Sequence, residues 1–255
     1  PLIDLLHEAD GEVASLVTMA LDEIGEHAVP PLIALLSDPP LRDIVAKTLI
    51  KIGEDAAGDC IQALDHTDAD VQNSICEVLV AIGEPAVPAL TQALTSNRSV
   101  VRSHVAKILG QMGWKPWNDT EQAWYYIARE VWTDLALMGP QAVDPLIRAL
   151  NSDDARIRCE ISWTLGEIGD PTSVESLVAL LVDDDVAPAV VDALVNIGDA
   201  STIPVLERLE EGSDAVRERA VEVLGRLGAH EAIPAIVGLL EVGGDRLYHE
   251  AIEAL

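Results

Sequence analysis

Asp154-Ala155-Arg156-Ile157-Arg158-Cys159-Glu160-Ile161-Ser162-Trp163-Thr164-Leu165-Gly166-Glu167-Ile168-Gly169 reads as one amphipathic helix with its start and its stop. Asp154 stands where a side chain that accepts from the first free N–H groups is wanted. Ile157, Ile161, Leu165 and Ile168 follow at helical spacing, and Gly169 falls where a left-handed residue ends a helix. The same register returns along the whole chain. The segment Leu-x-x-(Ile/Met/Leu)-Gly recurs with its glycine at 25, 53, 83, 113, 139, 169, 198 and 228, at intervals of 28, 30, 30, 26, 30, 29 and 30 residues. A ninth copy begins at Ala251 and breaks off at Leu255.

Counted back from each marker glycine, apolar residues dominate at −1, −4, −8 and −12. Position −12 carries Leu41, Val71, Val101, Ile127, Ile157, Val186 and Val216, and position −8 carries Val45, Ile75, Val105, Val131, Ile161, Val190 and Ala220. Ahead of this helix each unit holds a second apolar stripe behind proline, as in Ala28-Val29-Pro30-Pro31-Leu32-Ile33, Ala86-Val87-Pro88-Ala89-Leu90 and Ala142-Val143-Asp144-Pro145-Leu146-Ile147. Proline belongs in a first turn, where the N–H has no intrahelical partner. An acidic turn (Ser37-Asp38, Thr67-Asp68, Ser152-Asp153-Asp154, Ser213-Asp214) links the two helices and supplies caps for the second. Neither short helix can bury its apolar face alone, so the units must stack. The expectation is an all-α chain, an α-solenoid of about eight to nine two-helix units over 1–255. With 49% hydrophobic residues but no Phe, its core must be built from Leu, Ile, Val and Ala.

The pattern Asp-x-x-Val-Arg-x-x-Ala…Leu-Gly-x-Ile-Gly resembles HEAT repeats of the short, phycobilisome-lyase-like class. The resemblance covers nearly the whole chain. It implies a right-handed superhelix whose second helices line the concave side. It also implies a structural role for Arg42, Arg102, Arg158 and Arg217, each joining the preceding turn's Asp in a ladder between units. Gln72 and Ala187 break the pattern, and the ladder is expected to be weaker there.

The fifth unit is irregular, over 114–139. It is the shortest, and it collects six of the eight Trp and Tyr residues: Trp114, Trp117, Trp124, Tyr125, Tyr126 and Trp132. Gly113 to Asp119 reads as a loop, with Asp119 as N-cap and Gln122 at the capping-box position. The rings either fill the gap left by a shortened unit or expose Trp117, with Trp124 beside it, as binding anchors.

Composition narrows the function. Net charge is −28, from 44 acidic and 16 basic residues, a field that repels nucleic acid and anionic membrane. It fits either solubility in a salty medium or attraction to a basic partner. Cys60, Cys76 and Cys159 form no C-x-x-C pair, which suits a reducing, cytoplasmic setting. No apolar run approaches the ~20 residues of a membrane span. The chain opens at Pro1 and stops inside a helical pattern, as expected of a piece of a longer protein.

The candidate binding surface is the stripe at −2, −6 and −10 of the second helices, opposite the apolar face. Position −6 reads Met19, Lys47, Glu77, Lys107, Thr133, Trp163, Asp192, Glu222 and Glu253. Lys47, Lys51 and Lys107 lie on it in the N-terminal half, and Glu167, Asp192, Glu218, Glu222 and Glu253 in the C-terminal half. Trp163 is an aromatic in a polar column. The expected function is a monomeric, cofactor-free scaffold whose groove grips a peptide or helix of a protein partner through Trp163, Lys47, Lys51 and Lys107, with Trp117 as a further anchor. The resemblance leaves two enzymatic alternatives. A bilin lyase or chaperone would hold a tetrapyrrole and its acceptor protein. A deoxyhypusine hydroxylase would need several His-Glu pairs for two irons. Here His249-Glu250 is the one pair in the matching place; His7-Glu8 and His230-Glu231 fall at helix ends or turns, and Cys159-Glu160 replaces the pair in the sixth unit. No catalytic residue or metal ligand set is expected.

Overall fold

The computed structural model describes residues 11–66 and 68–240. Every regular element among them is helical, as the 3.6-residue periodicity requires. The chain divides into two compact units, 1–117 and 118–255.

In the first, the second helices of successive repeats are α1 (Gly11–Ile24), α3 (Pro39–Ile52), α5 (Ala69–Ile82) and α7 (Ser99–Gln111). Each packs on the next, and the first helices α2 (Val29–Leu35), α4 (Glu54–Gln62) and α6 (Val87–Ala93) form a parallel layer of contacts. In the second unit the first helices are α8 (Asp119–Ala128), α10 (Pro140–Ala149), α12 (Val174–Ala179), α14 (Thr202–Glu211) and α16 (Ile233–Leu240). The second helices α9 (Trp132–Met138), α11 (Ala155–Ile168), α13 (Ala187–Ile197) and α15 (Asp214–Leu227) again pack in series.

The leucines at −4 form the spine of this core. Leu21, Leu49, Leu79, Leu109, Leu135, Leu165, Leu194 and Leu224 are all buried, each contributing about 1.5–3 kcal/mol by removal from water. Positions −8 and −12 are buried too, except Val131, which is half-buried as the N-cap of the seven-residue α9. That shortening also corrects one expectation: Ile127, nominally at −12, lies on the first helix α8. Pro145 is a second correction. Because α10 already starts at Pro140, Pro145 stands inside the helix and not in its first turn.

All eight marker glycines have positive φ, but not one conformation. Gly169, followed by Asp170 before the next turn starts, is left-handed at φ 70, ψ 20. Gly198 has no such spacer, since a 3-10 turn begins at Asp199; it adopts φ 85, ψ −145. The helical segments on either side of this one-residue connection meet at 119°, and the backbone region that Gly198 adopts is open essentially to glycine alone.

The capping role of the acidic turns is seen at Asp68, which accepts from Asp70 N–H at 2.8 Å, and at Asp154, which accepts from Arg156 N–H at 2.9 Å. In the fifth repeat the cap is Asn118, accepting from Glu121 N–H at 2.8 Å, and not Asp119. Asp119 is instead the first helical residue, where its charge meets the positive helix end.

Candidate partner-binding surface

The arginine ladder fixes how the second helices stand beside one another. Arg42 Nε, Arg102 Nη1 and Arg158 Nη1 each donate to the carbonyl six residues earlier, on Leu36, Ser96 and Ser152, at 3.0, 2.5 and 2.9 Å. These carbonyls close the first helix of the same repeat. Arg42 and Arg158 then reach an aspartate of the following repeat, Asp70 at 3.4 Å and Asp183 at 2.7 Å. For Arg42 and Arg158 the ladder therefore runs to the carbonyl of their own turn and to the next repeat's Asp, a correction to the expected preceding Asp, whereas Arg217 pairs with Asp214 of its own turn at 3.4 Å. A planar guanidinium serves two acceptors in fixed directions, which is why Arg and not Lys holds this place. Arg102 is only 1% exposed.

The two repeats without the arginine are not left open. Gln72 donates through Nε2 to the Leu64 carbonyl at 3.0 Å, and Arg98 of the next turn pairs with Asp65. At Ala187, Arg219 of the following repeat donates to the Leu181 carbonyl and pairs with Asp184. In both repeats an arginine of the following repeat reaches back to the turn where the ladder arginine is missing.

With the apolar face inward, positions −2, −6 and −10 stay outside. In the first unit Met19, Lys47, Glu77 and Lys107 are exposed at −6, and Lys51 is exposed at −2. Lys47 and Lys51 share α3, while Lys107 stands two second helices along on α7. Trp117 is 88% exposed in the loop after α7. There Val87, Pro88, Met112, Trp114, Pro116 and Trp117 edge a groove of about 620 Å³. In the second unit Trp163 on α11 is 46% exposed, and Leu137 at −2 of the adjoining α9 is 81% exposed. Leu137 was missed by the sequence reading, although its place in the −2 column was the available signal. Trp163 and the lysines fall in different units, so the structure does not bring them together within one. Glu253 lies outside the described residues.

The aromatic repeat resolves into two roles. Trp124 is 5% exposed and belongs to the core, as a ring that fills the shortened repeat and not as an exposed anchor; it lies on the buried side of α8 with Ala123, Ile127 and Ala128. Between α8 and α9 the chain turns through Glu130 at φ 58, whose carboxylate takes both Nη groups of Arg156 at 2.8 and 2.9 Å. Arg129 stacks over Tyr125 at 5.4 Å.

The thiols differ in setting. Burial, assisted by neighbouring Asp59, pushes Cys60 up to about 12, and burial also raises Cys76. Half-buried Cys159 donates to the Asp185 carbonyl at 3.5 Å, and its pKa too is raised, first by burial, with Arg158 opposing. None has the electropositive setting of a reactive thiolate.

Among the described residues no group of three or more His, Cys, Asp and Glu is placed to hold a metal ion. His230 and Glu231 are exposed in a one-turn 3-10 helix. His7-Glu8 and His249-Glu250 lie outside the described residues. The described side chains therefore do not fit a two-iron site. No single helix among them is long and apolar enough to cross a membrane.

Two layers of short helices, joined repeat to repeat by a buried leucine spine and an arginine ladder, define an α-solenoid. The chain belongs to the family of HEAT repeats, which matches residues 59–123, 118–190 and 183–255. Over 87 residues it is 30% identical to the deoxyhypusine hydroxylase of Drosophila pseudoobscura pseudoobscura and 31% identical to that of Gallus gallus. Each match takes in 32% of this chain and 29% of the relative, so the chain spans under a third of the curated relatives it matches. Among solved structures, human deoxyhypusine hydroxylase in complex with glycerol is 18% identical over 89% of this chain and 94% of that one, at a TM-score of 0.36. An engineered protein is 21% identical over 99% and 76%, at a TM-score of 0.34.

Proposed function

We propose that this chain is a protein-interaction scaffold, holding a peptide or helical segment of a partner along the exposed stripe of its second helices. The observation that carries this reading is the split within each second helix. Positions −4, −8 and −12 are consumed by the core, while −6 presents Lys47, Lys107 and Trp163 outward in repeat after repeat. A large aromatic left half-exposed in a polar column is the kind of residue that dominates binding energy. The ladder keeps neighbouring helices at fixed spacing, so these side chains are displayed without a large ordering cost on binding. The acidic field points to a protein partner and away from nucleic acid or anionic lipid. Trp117, with its own groove, is a second anchor in the first unit.

The test is affinity capture at the native salt concentration, with wild type beside Trp163→Ala and Lys107→Glu, read by mass spectrometry and followed by titration with the purified partner. A partner held by wild type and weakened at least about tenfold by either folded variant supports the scaffold. A partner indifferent to both changes sinks it.

A second reading rests on the 87-residue resemblance: the chain is part of an enzyme of the deoxyhypusine hydroxylase type. Iron retained by the purified chain, and lost on His249→Ala, would favour it; a chain that leaves an iron-loading column metal-free, with wild type and variant alike, would dismiss it.

A further inference from the structure

We propose that the groove edged by Trp114 and Trp117 seats an extended, proline-rich segment of the protein partner with a lysine or arginine at one end. This rests on the scaffold reading and names what its second anchor holds. Two walls make the groove, both within the first unit. One is the start of α6, with Val87 and Pro88; the other is the chain that follows α7, with Met112, Trp114, Pro116 and Trp117. All six are half-buried or exposed, so the walls present apolar surface that an incoming segment can cover.

The walls stand before any partner arrives. α6 packs on α7, which sets their spacing. The chain leaves α7 through Gly113 at φ 70, and Trp114 N–H donates back to the Leu109 carbonyl at 3.0 Å. Pro116 restricts the backbone one residue before Trp117. Trp117 is thus held out on a stiffened loop, 88% exposed, and binding has little left to order.

A polyproline II segment suits such walls. It has no internal hydrogen bonds to give up, it enters already extended, and its pyrrolidine rings lie flat against aromatic faces. An amphipathic helix needs anchors repeated over two turns, whereas this groove ends within two short stretches, 84–88 and 112–117. Nucleic-acid bases also stack on tryptophan, but the −28 charge of the chain repels their phosphates.

Charge gives the segment a direction. Glu84, exposed in the 3-10 turn that leads into α6, belongs to the first wall, and exposed Lys115 belongs to the second. A basic residue therefore lies toward Glu84 and away from Lys115, and the −28 field draws the same cation in.

The experiment selects a random dodecapeptide library against the 255-residue chain. The recovered peptides are then titrated against wild type, Trp117→Ala, Trp163→Ala, Glu84→Gln and Lys115→Gln, each checked for unchanged helicity. The expected peptides are enriched in proline, with Lys or Arg to one side of the proline run. Their binding weakens at least about tenfold in Trp117→Ala and about threefold in Glu84→Gln, while Lys115→Gln does not weaken it. Added salt weakens it as well. Peptides that lack proline enrichment, or that bind Trp117→Ala as tightly as wild type, overturn the groove assignment; indifference to Glu84→Gln overturns its basic end. If the recovered peptides need Trp163 and not Trp117, the scaffold reading stands without this groove; if they ignore both rings, both readings fall. Recovery of no peptide also overturns the groove assignment.

Discussion

Arg219 donates to the main-chain carbonyl of Leu181, thirty-eight residues earlier in the chain. Leu181 stands six residues before Ala187, so this carbonyl is the one an arginine at 187 would have served, as Arg42, Arg102 and Arg158 serve theirs. One repeat has lost its ladder arginine and the next repeat supplies it.

Arg219→Ala should therefore destabilise the chain by about 1–3 kcal/mol, the range for losing a charged donor to a partly buried carbonyl. The pairing with Asp184 adds little, because Asp184 is exposed. The double variant Ala187→Arg/Arg219→Ala should recover part of the loss by returning the guanidinium to its own repeat. Thermal midpoints of wild type, Ala187→Arg, Arg219→Ala and the double variant check this; a second change that fails to couple to the first would refute the exchange.

The two glycine geometries predict different tolerance. Gly169→Asn should cost about 1 kcal/mol or less, since asparagine visits the left-handed region. Gly198→Asn should cost about 2–3 kcal/mol, because φ 85, ψ −145 suits no L side chain. Urea midpoints of the two variants would reveal it, with equal losses as the contrary result.

Gly166 is required for another reason. A Cβ there would lie 2.7 Å from Ala193 Cα, where α11 and α13 approach backbone to backbone. Gly166→Ala gains about 1 kcal/mol in helix propensity but overpacks by about 1–3 kcal/mol. The expected net is a loss of up to about 2 kcal/mol in the melting curve, and a stabilised variant would show that the helices separate freely.

For the thiols, labelling of the native chain near neutral pH should modify Cys159 first and spare Cys60 and Cys76 until unfolding, by mass spectrometry of the labelled peptides. The sign for pH follows from burial. Cys60 is raised to about 12, so its contribution to stability is full below the ordinary thiol range and is lost as pH climbs through that range towards the folded value. Cys60→Ala should flatten the alkaline fall in melting temperature, apart from a constant packing loss.

Much of this was legible beforehand, and for a local reason. The leucines at −4 and the branched residues at −8 and −12 announce their burial because a helix returns one face every 3.6 residues. The marker glycines announce helix ends because the backbone there needs positive φ. Trp124 and Trp117, by contrast, are the same residue type seven positions apart in one irregular repeat, and local pattern could not separate the core ring from the exposed one. Leu137 was hidden in the same way: its column was known to face outward, but an exposed leucine looks in sequence like any core leucine.

Periodicity thus decides the helices, their stacking and the outward stripe, since each depends on spacing along one chain segment. The partner of each arginine and the close approach at Gly166 depend on residues from different repeats meeting across a packed interface. Such meetings are set by how side-chain volumes fill the space between helices, and so by the tertiary structure alone.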